Sequence, residues 1–174
     1  SLGWSDKLSQ IKRFEKILEA GISKGDSVLD VGSGFGDFYN FAKKSLGHID
    51  YTGIEKCKVF LDVSKRIVDD DAKLIHGDIW ETKIVDNFDW VIASGLFPFD
   101  YEGYSQDLFY TTKKMFLMCD KGVCLNLLST NTPEDERFYP MKYNKPSDIC
   151  NMLLDISPKF NLIHGYMNND MTIH

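Results

Sequence analysis

No apolar run in this 174-residue chain reaches the roughly 18 residues that a membrane-spanning helix needs. No signal-peptide pattern precedes the first helical stretch, and Ser1-Leu2 reads as a cloning remnant outside the fold. Cysteine is sparse. Cys57, Cys119, Cys124 and Cys150 form no C-x-x-C pair and no His/Cys cluster of zinc spacing, so a structural metal is not expected. Reduced thiols in a cytoplasmic protein are the simpler reading. Basic excess is also missing. Twenty Lys and Arg stand against 26 Asp and Glu, for a net charge of -6. Duplex nucleic acid is therefore an improbable partner, because such binders carry net positive charge or a basic stripe. There is no internal repeat and no low-complexity stretch. What remains is an ordinary globular composition, 43% hydrophobic and 26% charged, with enough chain for one core. A single domain over 1–174 is expected.

The pattern along the chain alternates between strands and helices. Leu8, Ile11, Phe14, Ile17 and Leu18 repeat at three and four, which predicts a helix over 4–20 that Gly21 and Gly25 end. Ser27–Val31 is a short apolar run, the mark of a buried parallel strand. A glycine-rich turn from Gly32 to Gly36 follows it, then a helix over 37–46. Strands are expected at 51–55, 73–78, 88–94 and 122–128. Helices are expected after the second strand through Val68, over 106–119 and over 146–156. Two last strands fall near 160–165 and 171–174, and the chain stops inside the latter. Alternation of this kind predicts a mostly parallel sheet with helices on both faces. Ligands of such sheets bind at the carboxyl ends of the strands. Asp30–Gly36, Glu55, Asp78 and Ser94 all lie at such ends.

The chemistry of those ends is specific. Val28–Gly36 reads Asp-x-Gly-x-Gly-x-Gly from Asp30. Gly32 and Gly34 let the backbone turn tightly and approach a ligand. A dinucleotide fingerprint would put glycine where Asp37 stands, and Asp30 and Asp37 together repel a pyrophosphate. No Gly-Lys-[Ser/Thr] follows, which excludes a P-loop. Asp30 suits an ammonium or sulfonium group instead. Glu55 lies 21 residues beyond Gly34, at the end of the next strand, where a carboxylate can accept both hydroxyls of a ribose. Asp78 can accept from an exocyclic adenine amine, with the Ile79 N–H reaching a ring nitrogen. Asp78 can equally cap the turn after its strand. The set describes a nucleoside with a cationic amino-acid tail and no phosphates.

These residues resemble the class I S-adenosylmethionine-dependent methyltransferases, from Ser27 to Leu128. The similarity is nearest to small bacterial and phage methyltransferases. They share a helix like Ile11–Phe14, a motif like Gly34-Phe-Gly-Asp-Phe38, a fourth strand like Ala93-Ser-Gly-Leu-Phe97 and a segment like Leu125–Thr130. The resemblance implies a Rossmann-like seven-stranded sheet, mostly parallel, with an antiparallel last strand. It divides the chain into a helical cap (1–25), a cofactor half (26–128) and an acceptor half (129–174). It implies S-adenosyl-L-methionine, with its amino-acid end near Asp30, Gly32, Ser33, Gly34, Gly36, Asp37 and Ser94. The ribose then falls on Glu55 and the adenine between Lys56 and Asp78-Ile79. Arg13, on the first helix, is a candidate partner for the cofactor carboxylate. Ser33 stands where many relatives carry cysteine, and Pro98 where the nearest group carries asparagine.

The acceptor is less legible. Ser94-Gly-Leu-Phe-Pro-Phe99 lacks the amide-proline-proline-aromatic motif of amino-methylating DNA enzymes and the Pro-Cys of cytosine C5 enzymes. An aromatic wall is expected from Trp4, from Phe97–Tyr104 with Asp100, Tyr101, Glu102 and Tyr104, and from Ser129–Tyr143 with Tyr139 and Tyr143. The expected acceptor is a small molecule or a peptide-like group, and a small molecule fits best. No catalytic base is indicated, and none is required for an acceptor already deprotonated at neutral pH. His76 and His164 alternate with apolar neighbours and read as structural. A non-catalytic nucleoside-binding module and a nicotinamide-dependent oxidoreductase remain alternatives at this stage.

Overall fold

The computed structural model describes residues 7–174. The elements follow in the order α1 (Lys7–Leu18), β1 (Ser27–Val31), α2 (Asp37–Leu46), β2 (Asp50–Glu55), α3 (Lys58–Ser64), β3 (Lys73–His76), β4 (Phe88–Ser94), α4 (Tyr104–Leu117), β5 (Cys119–Leu128), α5 (Pro146–Leu154), β6 (Leu162–His164) and β7 (Asp170–Ile173). The seven strands form one sheet in the order β3-β2-β1-β4-β5-β7-β6. The five strands from β3 to β5 are parallel, and β7 inserts antiparallel to both β5 and β6. This is the mostly parallel, seven-stranded arrangement expected from the sequence. Strand order reverses direction at β1 and β4, and that switch point opens a crevice at their carboxyl ends.

The two sheet faces are dry for the same reason that β1 reads as an unbroken apolar run. Each strand of a parallel sheet is covered on both sides. Phe14 and Ile17 of α1 and Phe38, Tyr39 and Ala42 of α2 pack on Val28, Tyr51, Trp90 and Ile92. On the opposite face Leu108 and Met115 of α4 and Ile149 and Leu153 of α5 pack on Leu29, Val91 and Leu125. Full burial of each such side chain stabilises the fold by roughly 1.5–3 kcal/mol before entropy is counted.

Several expected boundaries shift, and helix α3 ends at Ser64 where it was expected to run through Val68. Strand β3 stops at His76, two residues early, because Gly77 at φ 154° turns the chain into a bend. Helix α4 starts and ends two residues before the expected 106–119, and β5 begins at Cys119 instead of 122. The cause is at the amino end of the sheet. Phe88 N–H donates to Met118 O, Phe88 pairs with Cys119, and a register shift follows before Trp90 meets Gly122. Lys121 then ties β5 to its neighbours, with Nζ 2.7 Å from Asp26 and 3.1 Å from Asp89. Strand β7 pairs on both sides, and His174 exchanges backbone hydrogen bonds with Asn161 beside it. Among the described residues no helix is long and apolar enough to cross a membrane.

Candidate functional site

A cleft of about 780 Å³ lies over the carboxyl ends of β1, β2, β3 and β4. Its floor is the turn that leaves β1. Gly32 and Ser33 both donate their N–H to Ile54 O, at 2.9 and 3.1 Å, which folds the turn back across β2. Gly34 sits at φ 57° and Gly36 at φ 81°, in the left-handed region that disfavours a β-carbon. The Glu55 carboxylate fixes this turn. One oxygen accepts the Gly34 N–H at 2.9 Å and the other the Cys57 N–H at 2.6 Å. Glu55 therefore holds the glycine turn against the start of α3, and it also lines the cleft.

Asp30 is the most unusual group of the site. It is 3% exposed and accepts a 2.7 Å hydrogen bond from the Tyr51 hydroxyl. Burial pushes its pKa up from 3.8 to about 7; the Tyr51 bond opposes that shift, and the charges of Glu55 and Asp37 add to it. A carboxylate so placed is stabilised by any cation that enters the cleft. Asp37 stands in the first turn of α2 and accepts from Gln10 Nε2 at 3.1 Å, which draws α1 over the cleft. At the far edge Asp78 accepts the N–H groups of Trp80 and Glu81, each at 2.9 Å, and pairs with Lys56 at 3.0 Å. Those two backbone bonds and Lys56 lower its pKa. The structure thus gives Asp78 the turn-capping task, and it still lines the cleft beside Ile79.

Of the residues singled out from sequence, Asp30, Gly32, Ser33, Gly34, Asp37, Glu55, Lys56, Asp78, Ile79 and Ser94 all line this one cleft. Two do not, Arg13 and Gly36. Arg13 is buried at 4% exposure and forms an ion pair with Asp170 at the start of β7, and neither residue lines the cleft. Gly36 caps the start of α2, where a β-carbon would come within 2.5 Å of Val68 Cγ1. Its smallness serves the packing of α2 on the segment after α3. Of the expected aromatic wall, Phe97, Pro98, Phe99 and Tyr101 line the cleft. Tyr104 packs beneath them, Tyr139 is 98% exposed, and Trp4 lies outside the described residues.

No protein-family model matches the chain. A demethylmenaquinone methyltransferase of Staphylococcus aureus is 35% identical over 104 residues, covering 52% of this chain and 43% of that protein. The chain thus spans less than half the length of the curated relatives it matches. Among solved structures, DhpI in complex with S-adenosylhomocysteine superposes with a TM-score of 0.70 at 14% identity, over 95% of this chain and 82% of that one. The magnesium protoporphyrin IX methyltransferase of Synechocystis PCC 6803 with bound S-adenosylmethionine gives 0.69 at 12%, over 95% and 78%.

The fold is that of the class I S-adenosylmethionine-dependent methyltransferases.

Within this methyltransferase fold the sequence reading missed part of the cleft. Gln10 and Phe14 reach it from α1, Phe60 from α3, Trp80 from the turn after β3, and Thr111 from α4. Phe60 packs edge-on against Phe35 at 4.9 Å, and Trp80 Nε1 donates to Thr111 at 3.3 Å with Lys114 over its ring at 4.8 Å. Only the apolar-and-polar spacing of α1 hinted at any of these, because the others depend on how helices cross in space. His76 is exposed and contacts Lys56 O, and His164 contacts the buried Ser129, so neither faces the cleft. No cluster of three His, Cys, Asp or Glu suited to a metal ion occurs among the described residues.

Proposed function

We propose that the protein binds S-adenosyl-L-methionine in this cleft and transfers its methyl group to a small, flat, largely apolar acceptor. One observation carries the reading. Ten residues chosen for nucleoside-and-cation chemistry line one cleft, and the most buried acid among them, Asp30, has the neutral Tyr51 hydroxyl as its hydrogen-bond donor. A ligand ammonium supplies the missing positive charge. The cleft volume lies within the range for small-molecule sites of roughly 300–1,000 Å³.

The fit can be followed residue by residue. Asp30 accepts from the ammonium of the amino-acid tail, and the Gly32–Gly34 turn leaves room for that tail. Glu55 retains lone pairs for ribose hydroxyls. Ile79 presents its backbone edge, and Phe60 and Trp80 offer apolar faces for a planar base. When bound, the cofactor supplies an electrophilic methyl group on sulfur. The protein's task is then alignment, because an in-line displacement with a good leaving group gains mainly from positioning. Phe97, Phe99, Tyr101 and Met141 form the remaining wall, where Phe99 and Met141 bridge two loops. Their flat, apolar surfaces support a planar acceptor. The demethylmenaquinone and protoporphyrin acceptors in the relatives' names have the same character. The four free thiols suit a reducing cytoplasm.

Calorimetric titration with S-adenosylmethionine and S-adenosylhomocysteine tests the cofactor, and a turnover screen over planar quinols and phenols tests the acceptor. Binding without turnover on any acceptor would leave a nucleoside-binding module. Binding of NADH with no affinity for S-adenosylhomocysteine would overturn the reading.

A further inference from the structure

Arg13 and Asp170 are not an isolated pair. Three strands carry one registered polar row, with Ser94 of β4 opposite Asn126 of β5, and Asn126 opposite Thr172 of β7. Ser94 Oγ lies 2.9 Å from Asn126 Oδ1, and Asn126 Nδ2 lies 2.7 Å from Thr172 Oγ1. Thr172 lies 2.7 Å from the Tyr166 hydroxyl, which in turn lies 3.0 Å from Asp170 Oδ1. Asp170 ends the row in the ion pair with Arg13. Asn126, Thr172, Asp170 and Arg13 are each at most 5% exposed. A continuous hydrogen-bonded chain therefore runs from helix α1 through the sheet to a residue that lines the cleft.

The chain has a direction. Burial raises the Asp170 pKa, but the Arg13 guanidinium paired with it pulls the other way and holds it as a carboxylate, which can only accept. Tyr166 has one proton and gives it to Asp170. Its oxygen must then accept from Thr172, and Thr172 must accept from the amide nitrogen of Asn126. That orientation turns Asn126 Oδ1 toward Ser94, which gives up its proton inward. The asparagine also stops proton relay, because its amide would have to tautomerise. What the row transmits is orientation.

We propose that this row locks Ser94 as a hydrogen-bond acceptor toward the cleft, with Thr172 and Tyr166 as positioning residues for the ligand's cationic tail. The inference rests on the cofactor reading above. Asp30 pairs with Ile92 across β1 and β4, so Ser94 stands one side-chain repeat farther toward the cleft, beside the glycine turn. Its lone pairs and the Asp30 carboxylate flank the same end of the site, which is where an ammonium would be held. Breaking the row lets the Asn126 amide turn over, and Ser94 then points a proton at the cation.

Two probes separate the tail from the nucleoside: S-adenosylhomocysteine, which carries the tail, and 5′-methylthioadenosine, which lacks it. Thr172→Val and Tyr166→Phe should each weaken S-adenosylhomocysteine by about three- to tenfold, the worth of one neutral hydrogen bond, and leave methylthioadenosine unchanged. Thr172→Ser should restore the affinity. Thr172→Val should add nothing to Ser94→Ala in the double variant. Tyr166→Phe keeps the ring and decides the matter if the β7 variant fails to fold. Equal weakening of both compounds, or no change in either, would overturn the proposal and leave the cofactor reading standing. Wild-type protein that binds neither compound would overturn both.

Discussion

Replacing Asp30 by Asn should make the free protein more stable and the ligand-bound state weaker, in the same sample. Burial holds the Asp30 carboxyl at about 7, against 3.8 for an ordinary one. The folded pKa is raised, so the acid favours the fold fully only below pH 3.8. That contribution is lost as pH rises toward 7. At 1.36 kcal/mol per pH unit between the two values, ionised Asp30 costs the folded state about 4 kcal/mol at pH 8. Asn keeps the shape and still accepts from the Tyr51 hydroxyl without carrying charge. At about 2–4 °C per kcal/mol for a chain of this size, Asp30→Asn should raise the melting temperature by on the order of 10 °C at pH 8. The gain should shrink steadily below pH 7 and vanish near pH 4. Binding should move the other way. Loss of a charge-assisted hydrogen bond to the ammonium should weaken S-adenosylhomocysteine by about 10–100-fold. Wild-type affinity should itself rise about tenfold per pH unit up to pH 7 and then flatten, because the ligand selects the ionised acid. Thermal melts and calorimetry across pH 4–9 measure both effects. An Asn variant less stable than wild type at pH 8 would refute the reasoning, since it would mean that Asp30 already has its cation within the protein.

Other substitutions probe the rest of the cleft. Glu55→Ala should weaken S-adenosylhomocysteine by about 1.5–3 kcal/mol in calorimetry, with some loss of melting temperature, because Glu55 also holds the Gly34 and Cys57 amides. Gly34→Ala, at φ 57°, should cost about 1–2 kcal/mol of backbone strain and several degrees of melting temperature, and should abolish detectable cofactor binding. Near-wild-type affinity in that variant would remove the turn from the site. The net charge of -6 predicts no duplex DNA binding at about 150 mM salt, and a micromolar mobility shift with steep salt dependence would contradict it.

The sheet was legible because parallel strands announce themselves. A run such as Val28–Val31 is buried at every position, and an acid or serine at its carboxyl end stands out against that background. The same logic exposed Glu55 and Ser94. Asp78 was half legible. A carboxylate followed by Ile79-Trp80-Glu81 can cap a turn or face a ligand, and only the two 2.9 Å backbone bonds show that it caps. The start of β5 was illegible because Phe88–Cys119 pairing, not local propensity, draws Cys119 into the sheet. Phe60 and Trp80 were invisible for a related reason. An aromatic in a short helix or turn carries no mark of which cavity it will border.

Arg13 shows the deeper limit. Its spacing on α1 places it near Phe14 and Ile17, and a cation on a helix that covers an acidic cleft invites pairing with the ligand's carboxylate. The partner it takes is Asp170, separated from it by 157 residues in sequence. No periodicity in α1 encodes that distance; it follows from β7 inserting beside β5, so that α1 packs across β4, β5 and β7 together. Once that insertion is known, the pairing has a physical logic. A buried Asp170 without Arg13 would be an uncompensated charge on the same face as Asp30. With Arg13 it becomes a fixed acceptor at the end of a polar row, and the acid left open to a ligand is Asp30. Arg13 was expected to meet the cofactor's charge directly. In the structure it pairs with the buried Asp170 instead, whereas Asp30 lines the cleft with only the Tyr51 hydroxyl as its hydrogen-bond donor.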